Sequence, residues 1–205
     1  MPTIYDIKPR FQALLRPITR KLAAGGFTAN QVTLGAAALS ILTGALLAYR
    51  PWTRWVLLLV PLVLFVRMAL NAIDGMLARE YGQKSPLGAI LNEVADVVSD
   101  SALYLPFALL PAVSPRLVVL VVLLAVISEM TGVVAVQIGA TRRYDGPLGK
   151  SDRAFLFGLI ALLGGCGVPL HPWVNPVLAI AAVMLAVTIV NRAKHALAEV
   201  AARKP

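Results

Sequence analysis

Two apolar stretches hold most of the polar residues set within the chain's apolar segments: Arg67, Asn71 and Asp74, then Asn92, Glu93, Asp96 and Asp100. Carboxylate and amide oxygens are hard donors suited to Mg²⁺ or Mn²⁺, and a carboxylate beside such an ion can also accept a proton from a hydroxyl. An ionisable group inside an apolar segment costs about 3 kcal/mol or more, so it faces a cavity or a partner. On a helix, positions 67, 71 and 74 share one face, while 88, 92, 96 and 100 form an i, i+4 ridge that begins with Gly88. At a rise of 1.5 Å per residue, Asp74 and Asn71 lie about 8 and 12 Å from Arg79, and Asn92 and Asp96 about 9 and 15 Å from Pro86. These four overlap in depth, with Asp100 deeper at about 21 Å. Gly75 and Gly88 would let a phosphate or metal come close to the backbone. Taken alone, a pair such as Asn71 and Asp74 reads equally well as interhelical hydrogen bonding.

The elements that must position these residues are membrane helices. The chain has 205 residues, 59% of them apolar and 14% charged, too little polar surface to cover a water-soluble sphere. Turn residues divide it into six segments of crossing length, at about 31–49, 55–78, 87–110, 117–140, 154–170 and 174–191. The link Tyr81-Gly82-Gln83-Lys84 is short, and Ser85-Pro86 has the form of an N-cap followed by proline, so the second and third crossings are antiparallel neighbours. Basic residues fall fifteen on the side of the termini and three, Arg50, Arg54 and Arg116, on the other, with Arg67 inside a helix. By the positive-inside rule, both termini and the 79–86 and 140–153 loops are cytoplasmic. The net charge of +9 therefore reports orientation, and no nucleic-acid partner is expected.

Residues 4–24 place Phe11, Leu14, Leu15, Ile18 and Leu22 at helical spacing against Arg16, Arg20 and Lys21, the pattern of an interfacial amphipathic helix lying among lipid headgroups. A basic arm obeying the charge rule is the alternative. No cleavable signal is expected in residues 1–29, which lack a continuous apolar stretch. The expected fold is thus an all-α integral membrane protein: an entry segment with an interfacial helix over 1–29, six transmembrane helices within 30–192, and a basic cytoplasmic tail over 193–205. Ala36, Ser40 and Gly44 form a small-residue stripe that permits close helix packing.

Other features carry less. Cys166 is the single cysteine and reads as packing among glycines, so no disulfide or cysteine metal site is available. His171 and His195 have no ligand spacing. Gly146 to Ser151 imitates the end of a phosphate-binding loop, but Tyr144 stands where glycine is required. Glu93, Asp100 and Glu129 read as ion-pair partners of Arg67 or another buried cation at least as well as catalytic groups.

The order Asn71-x2-Asp74-Gly75-x2-Ala78-Arg79-x8-Gly88-x3-Asn92-x3-Asp96 resembles the signature of the CDP-alcohol phosphotransferase (CDP-alcohol phosphatidyltransferase) family, Asp-x2-Asp-Gly-x2-Ala-Arg-x8-Gly-x3-Asp-x3-Asp. Six of the eight positions are identical and two are Asp-to-Asn changes, with every gap in the 26-residue span kept. Thr28-Ala29-Asn30-Gln31-Val32-Thr33 resembles the family's Thr-Pro-Asn-x2-Thr stretch. The nearest likeness is to a bacterial branch with asparagine at signature aspartate positions.

The resemblance implies transfer of a phosphoalcohol group, commonly phosphatidyl from CDP-diacylglycerol, to an alcohol acceptor with release of CMP. In the full signature, four carboxylates and two divalent ions serve this chemistry. Carried over, Asn71, Asp74, Asn92 and Asp96 stand at metal positions for Mg²⁺ or Mn²⁺, with Asp96 as the candidate base. Gly75, Ala78 and Gly88 look like nucleotide-pocket positions, and Arg79 a phosphate or structural contact. The resemblance also implies a homodimer in the inner (plasma) membrane whose site faces the cytoplasm, working in phospholipid biosynthesis. Arg142, Arg143, Lys150 and Arg153 either bind an anionic acceptor, as basic residues do in relatives with phosphorylated acceptors, or serve the charge rule. Two other classes stay open: a catalytically silent nucleotide- or lipid-binding relative, and a small ion-coupled transporter.

Overall fold

The computed structural model describes residues 4–51 and 53–203, with side chains described from Arg10 onward. Lys204 and the side chain of Lys8, both part of the cation tally, lie outside the described residues. The chain runs through helices α1 (Ile4–Ala24), α2 (Ala29–Tyr49), α3 (Arg54–Glu80), α4 (Pro86–Tyr104), a 3₁₀ turn at Leu105–Leu109, then α5 (Pro115–Gln137), α6 (Lys150–Gly165) and α7 (Val174–Ala202), and no strand occurs among the described residues. Four of these, α2, α3, α5 and α7, are long and apolar enough to cross a membrane. The protein is an all-helical integral membrane protein. Among the segments expected to cross, α4 is set apart by its carboxylates Glu93, Asp96 and Asp100, and α6 by its length of 16 residues.

Three segments differ by more than three residues from the sequence reading. The third segment is α-helical only to Tyr104, because Pro106 cannot donate a backbone N–H and the chain tightens into a 3₁₀ turn there. The segment starting at 154 begins earlier, at Lys150, and stops at Gly165, where Gly167 reverses the chain at φ 88°. Cys166 at this end is exposed rather than packed. The last helix, expected over 174–191, continues to Ala202, with Glu199 receiving Thr141 and the guanidinium of Arg203.

The chain forms two compact units, Met1–Thr43 with Leu62–Ser99, and Gly44–Pro61 with Asp100–Pro205. In the first, Leu15, Ala29, Val32, Ile73, Met76 and Leu77 form a buried cluster, and Phe11 and Leu22 pack against it. The apolar stripe of α1 is therefore divided: Leu15 and its neighbours bury against protein, whereas Leu14 and Ile18 stay exposed beside Arg16 and Arg20. The α1–α2 turn closes through Gly26 at φ 78°, and a reciprocal capping box follows, Thr28 Oγ1 accepting from the Gln31 N–H and Gln31 Oε1 from the Thr28 N–H. Gln83, in the α3–α4 loop, accepts from the Ala29 N–H at 2.7 Å and so ties this loop to the start of α2. Ser85 caps α4 through the Gly88 N–H at 2.9 Å, with Pro86 first in the helix.

In the second unit, Phe157 of α6 stacks on Tyr104 at 4.2 Å and meets Phe107 edge-on at 5.1 Å, anchoring the apolar core. Gly44 of α2 lies against the backbone carbonyl of Ala102, so close that a methyl group has no room. Gly35, on the same helix, has open space around it. Gly44→Ala should destabilise the detergent-solubilised protein by about 1–3 kcal/mol, as overpacking does. Gly35→Ala should leave the melting temperature unchanged or raise it. Equal melting temperatures for the two variants would show that the close approach at Gly44 carries no weight.

Candidate functional site

The signature residues on α3 and α4, together with the part of α2 that meets them, all belong to the first unit. Asp74 is buried on α3, and its Oδ2 accepts a 2.8 Å hydrogen bond from the Thr33 hydroxyl of α2. That hydroxyl also lies 3.1 Å from the Ala29 carbonyl, one turn back, which fixes its rotamer. One turn before Asp74, Asn71 donates its side-chain amide to Asp96 Oδ1 across to α4 at 3.3 Å. Arg67, a further turn back and 3% exposed, donates to the Asp96 backbone carbonyl at 3.2 Å and to the same Oδ1 at 3.4 Å. Asn71 and Asp96 are thus brought together. Asn92 is exposed on α4, one turn before Asp96.

The two glycines are used differently from the expectation that they leave clearance for a ligand. A Cβ on Gly75 would stand 3.0 Å from the Arg79 guanidinium, which folds back over that turn. A Cβ on Gly88 would stand 2.9 Å from Asn30 Oδ1 and 3.0 Å from Ser85 Oγ. The space that glycine opens is here lined by polar side chains, which puts donors and a cation where a phosphate could be met. Ala78 packs on the apolar cluster beside Leu77.

Two residues of this site, Thr33 and Asn30, were not singled out for it from the sequence. Arg67 was placed on the face of Asn71 and Asp74 as an ion-pair partner, with Glu93, Asp100 and Glu129 as its candidate carboxylates; its partner is instead Asp96. Thr33 and Asn30 lie within the Thr28 to Thr33 stretch, but which residue each would touch depends on how α2 meets α3 and α4.

Among the described residues no three of His, Cys, Asp and Glu gather to form a metal cluster. The signature positions on α3 and α4 carry two carboxylates, Asp74 and Asp96, and two amides, Asn71 and Asn92, of which Asn71 and Asp96 meet. These are hard oxygen ligands, and the set suits Mg²⁺ or Mn²⁺ with less negative charge than four carboxylates provide.

The second unit holds the remaining buried ions. Glu129 of α5 receives Arg142 and Arg153 at 2.9 Å each and lies 3.3 Å from Arg192. Asp100 pairs with the same Arg153 at 3.1 Å. Asp100 and Glu129 are therefore partners of arginines in their own unit, whereas Arg67 pairs with Asp96. Arg142 fits because residue 132 is glycine, whose missing side chain leaves the guanidinium its place. In the 138–149 loop, Arg143 forks onto Asp145 at 2.7 and 2.8 Å and reaches Glu199 at 3.1 Å. That guanidinium holds the Asp145 carboxyl below the usual carboxylate range. His195 Nδ1 lies 3.3 Å from Asp145, and so is a partner of a carboxylate rather than a metal ligand.

The family model for CDP-alcohol phosphatidyltransferases matches residues 27–192. The chain is 49% identical over 201 residues to the inner membrane protein YnbA of Escherichia coli, covering 95% of this chain and 96% of that protein. Its fold is similar to the phosphatidylinositol phosphate synthase PgsA1 of Mycobacterium tuberculosis. The similarity has a TM-score of 0.72 at 23% identity for the structure with manganese and citrate, with 92% of this chain and 91% of that one covered. For the structure with CDP-DAG bound the TM-score is 0.67 at 22% identity, covering 90% and 92%. The chain belongs to the CDP-alcohol phosphatidyltransferase family, transferases of phospholipid synthesis.

If the Thr33 hydroxyl orients Asp74, its removal should be felt in cation binding. A hydrogen bond to a charged group contributes about 1.5–3 kcal/mol, so Thr33→Val should weaken Mn²⁺ binding about ten- to a hundredfold while the protein stays monodisperse. Wild-type affinity in this variant, measured by Mn²⁺ titration, would dismiss that role.

Proposed function

We propose that this chain transfers the phosphatidyl group of CDP-diacylglycerol to an alcohol acceptor and releases CMP. The observation that carries this reading is the convergence of Asn71 and Arg67 on Asp96, with Asp74 held by Thr33, at the family's signature spacing. The acceptor oxygen bonds to the phosphorus bearing diacylglycerol, the pyrophosphate P–O bond breaks, and CMP leaves with the electron pair. Asp96 takes the hydroxyl proton. Asn71, Asp74, Asn92 and Asp96 would hold Mg²⁺ or Mn²⁺, which supplies neutralisation of pyrophosphate charge. Arg79 offers its guanidinium to phosphate oxygens over Gly75, and Gly75, Ala78 and Gly88 shape the nucleotide side.

The same reading places the protein in the inner membrane as a multi-pass homodimer. Six helices cross, α4 and α6 among them, with α1 in the interface, 193–205 basic and cytoplasmic, and the site open to the cytoplasm. The relative from Escherichia coli is named an inner membrane protein, and a related fold has been solved with CDP-DAG bound, which supports both location and donor. The asparagines at 71 and 92 favour one competing reading, a silent nucleotide- or lipid-binding relative. Metal-dependent CMP release with CDP-diacylglycerol and a panel of alcohols, together with a new lipid mass, decides between them.

Two outcomes are expected. Asp74→Ala should abolish metal-dependent nucleotide binding, whereas Asp96→Asn should keep much of that binding and lose turnover by about a hundredfold or more, since an amide cannot accept the proton. Asp96→Asn turning over within a few-fold of wild type would exclude it as the base. For orientation, cysteines placed at 53 and 114 should react with an impermeant external thiol reagent and one at 147 should not, following the distribution of basic residues. The reverse labelling would put the site on the side without CDP-linked donors.

A further inference from the structure

Arg67 has no counterpart in the signature, yet it makes two hydrogen bonds to Asp96. It is 3% exposed and grips both the backbone carbonyl and the carboxylate of Asp96, at 3.2 and 3.4 Å. Asn71, at a position where the full signature has an acid, turns its N–H₂ toward the same Oδ1 at 3.3 Å. Asp96 Oδ1 is thus served by two N–H donors, one of them on a full positive charge. An isolated guanidinium buried in an apolar segment is costly, so this pairing is fixed by burial as well as by attraction.

We propose that the Arg67 guanidinium takes the place of one of the two divalent ions that the full signature binds, so that this chain works with a single metal ion. The inference rests on the reading in the preceding subsection. Charge arithmetic supports it. Four carboxylates with two divalent ions sum to zero before substrate binds. Here Asp74 and Asp96 carry −2 and Arg67 +1, so one ion brings the sum to +1 and two bring it to +3. The same change accounts for both asparagines: with a fixed cation already on Asp96, carboxylates at 71 and 92 have no second ion to neutralise. A guanidinium also differs from an ion in being bound covalently to α3, so that part of the site's positive charge is independent of metal concentration. The ion that remains is assigned to Asp74, whose carboxylate is oriented by Thr33.

The test is the number of Mn²⁺ ions bound at saturation without nucleotide, read by electron paramagnetic resonance titration and by metal analysis of the purified protein. Wild type should bind one. Asn71→Asp with Asn92→Asp should still bind one, more tightly, because Arg67 remains. Adding Arg67→Met to that pair should admit a second ion, and adding Arg67→Lys instead should not. Two tight ions in wild type, or one in the triple Met variant, would overturn the proposal. Should the triple variant fail to fold, Arg67→Gln in the otherwise native chain serves: it should tighten Mn²⁺ binding about tenfold by removing a neighbouring charge, and unchanged affinity would overturn the proposal. Absence of CMP release from wild type with every acceptor would refute the transferase reading while leaving these stoichiometries to stand or fall by themselves.

Discussion

One carboxylate, Glu129, organises the second unit. It stands on α5 and receives Arg142 from the following loop, Arg153 from α6 and Arg192 from α7. Each of those arginines would be prohibitively costly in an apolar interior without an anion, and Arg153 and Arg192 are each only 1% exposed. The requirement to neutralise them forces three elements to one point and so specifies the packing more sharply than apolar contacts could. Asp100 adds the second negative charge through Arg153, leaving three guanidiniums on two carboxylates. The glycine at 132 and the fork of Arg143 onto Asp145 are what this constraint demands of its surroundings: space for one guanidinium, and a loop held rigid enough to deliver it.

The first unit solves the same problem with a different economy of charge. The buried guanidinium of Arg67 meets the carboxylate of Asp96, and Asn71 donates to the same oxygen. Asp74 accepts from the neutral hydroxyl of Thr33, and Arg79 is drawn back over Gly75. The result is a polar face with little net charge and with donors as well as acceptors, a fitting surface for a charged headgroup such as a pyrophosphate. Buried charges in the second unit answer one another, whereas the first unit carries carboxylate and amide oxygens beside two arginines on α3.

A four-carboxylate site is built to hold cations before substrate arrives, and its aspartates repel one another when it is empty. Replacing two of them with asparagine removes that repulsion and allows α3 and α4 to be joined directly by Asn71 and Asp96. The apolar cluster around Met76 and Leu77, with α1 laid across it through Leu15, then supports the helix that bears Asn71, Asp74 and Arg79. The polar face of α3 is thereby backed by apolar packing.

The sequence alone determined the helices and the signature. Hydropathy and turn residues are local properties, so the start of α4 at Ser85-Pro86 and the extent of α1 were legible from a few residues each, and the Asp74 to Asp96 spacing is a property of the string itself. Pro106 marks the 3₁₀ turn after Tyr104 locally, but hydropathy carried the third segment past it; that the last helix runs on to Ala202 depends on partners beyond its own neighbours, such as Thr141 on Glu199. Partner choice was even less accessible. Asp96, Asp100 and Glu129 are alike as residues in apolar helices, and periodicity says only which face each occupies. Which arginine neutralises which carboxylate is decided by interhelical distances of a few ångströms, and those exist only after the helices have packed. For that reason the sequence could supply Asp96 as a candidate base, and only the tertiary structure could put Arg67 on it.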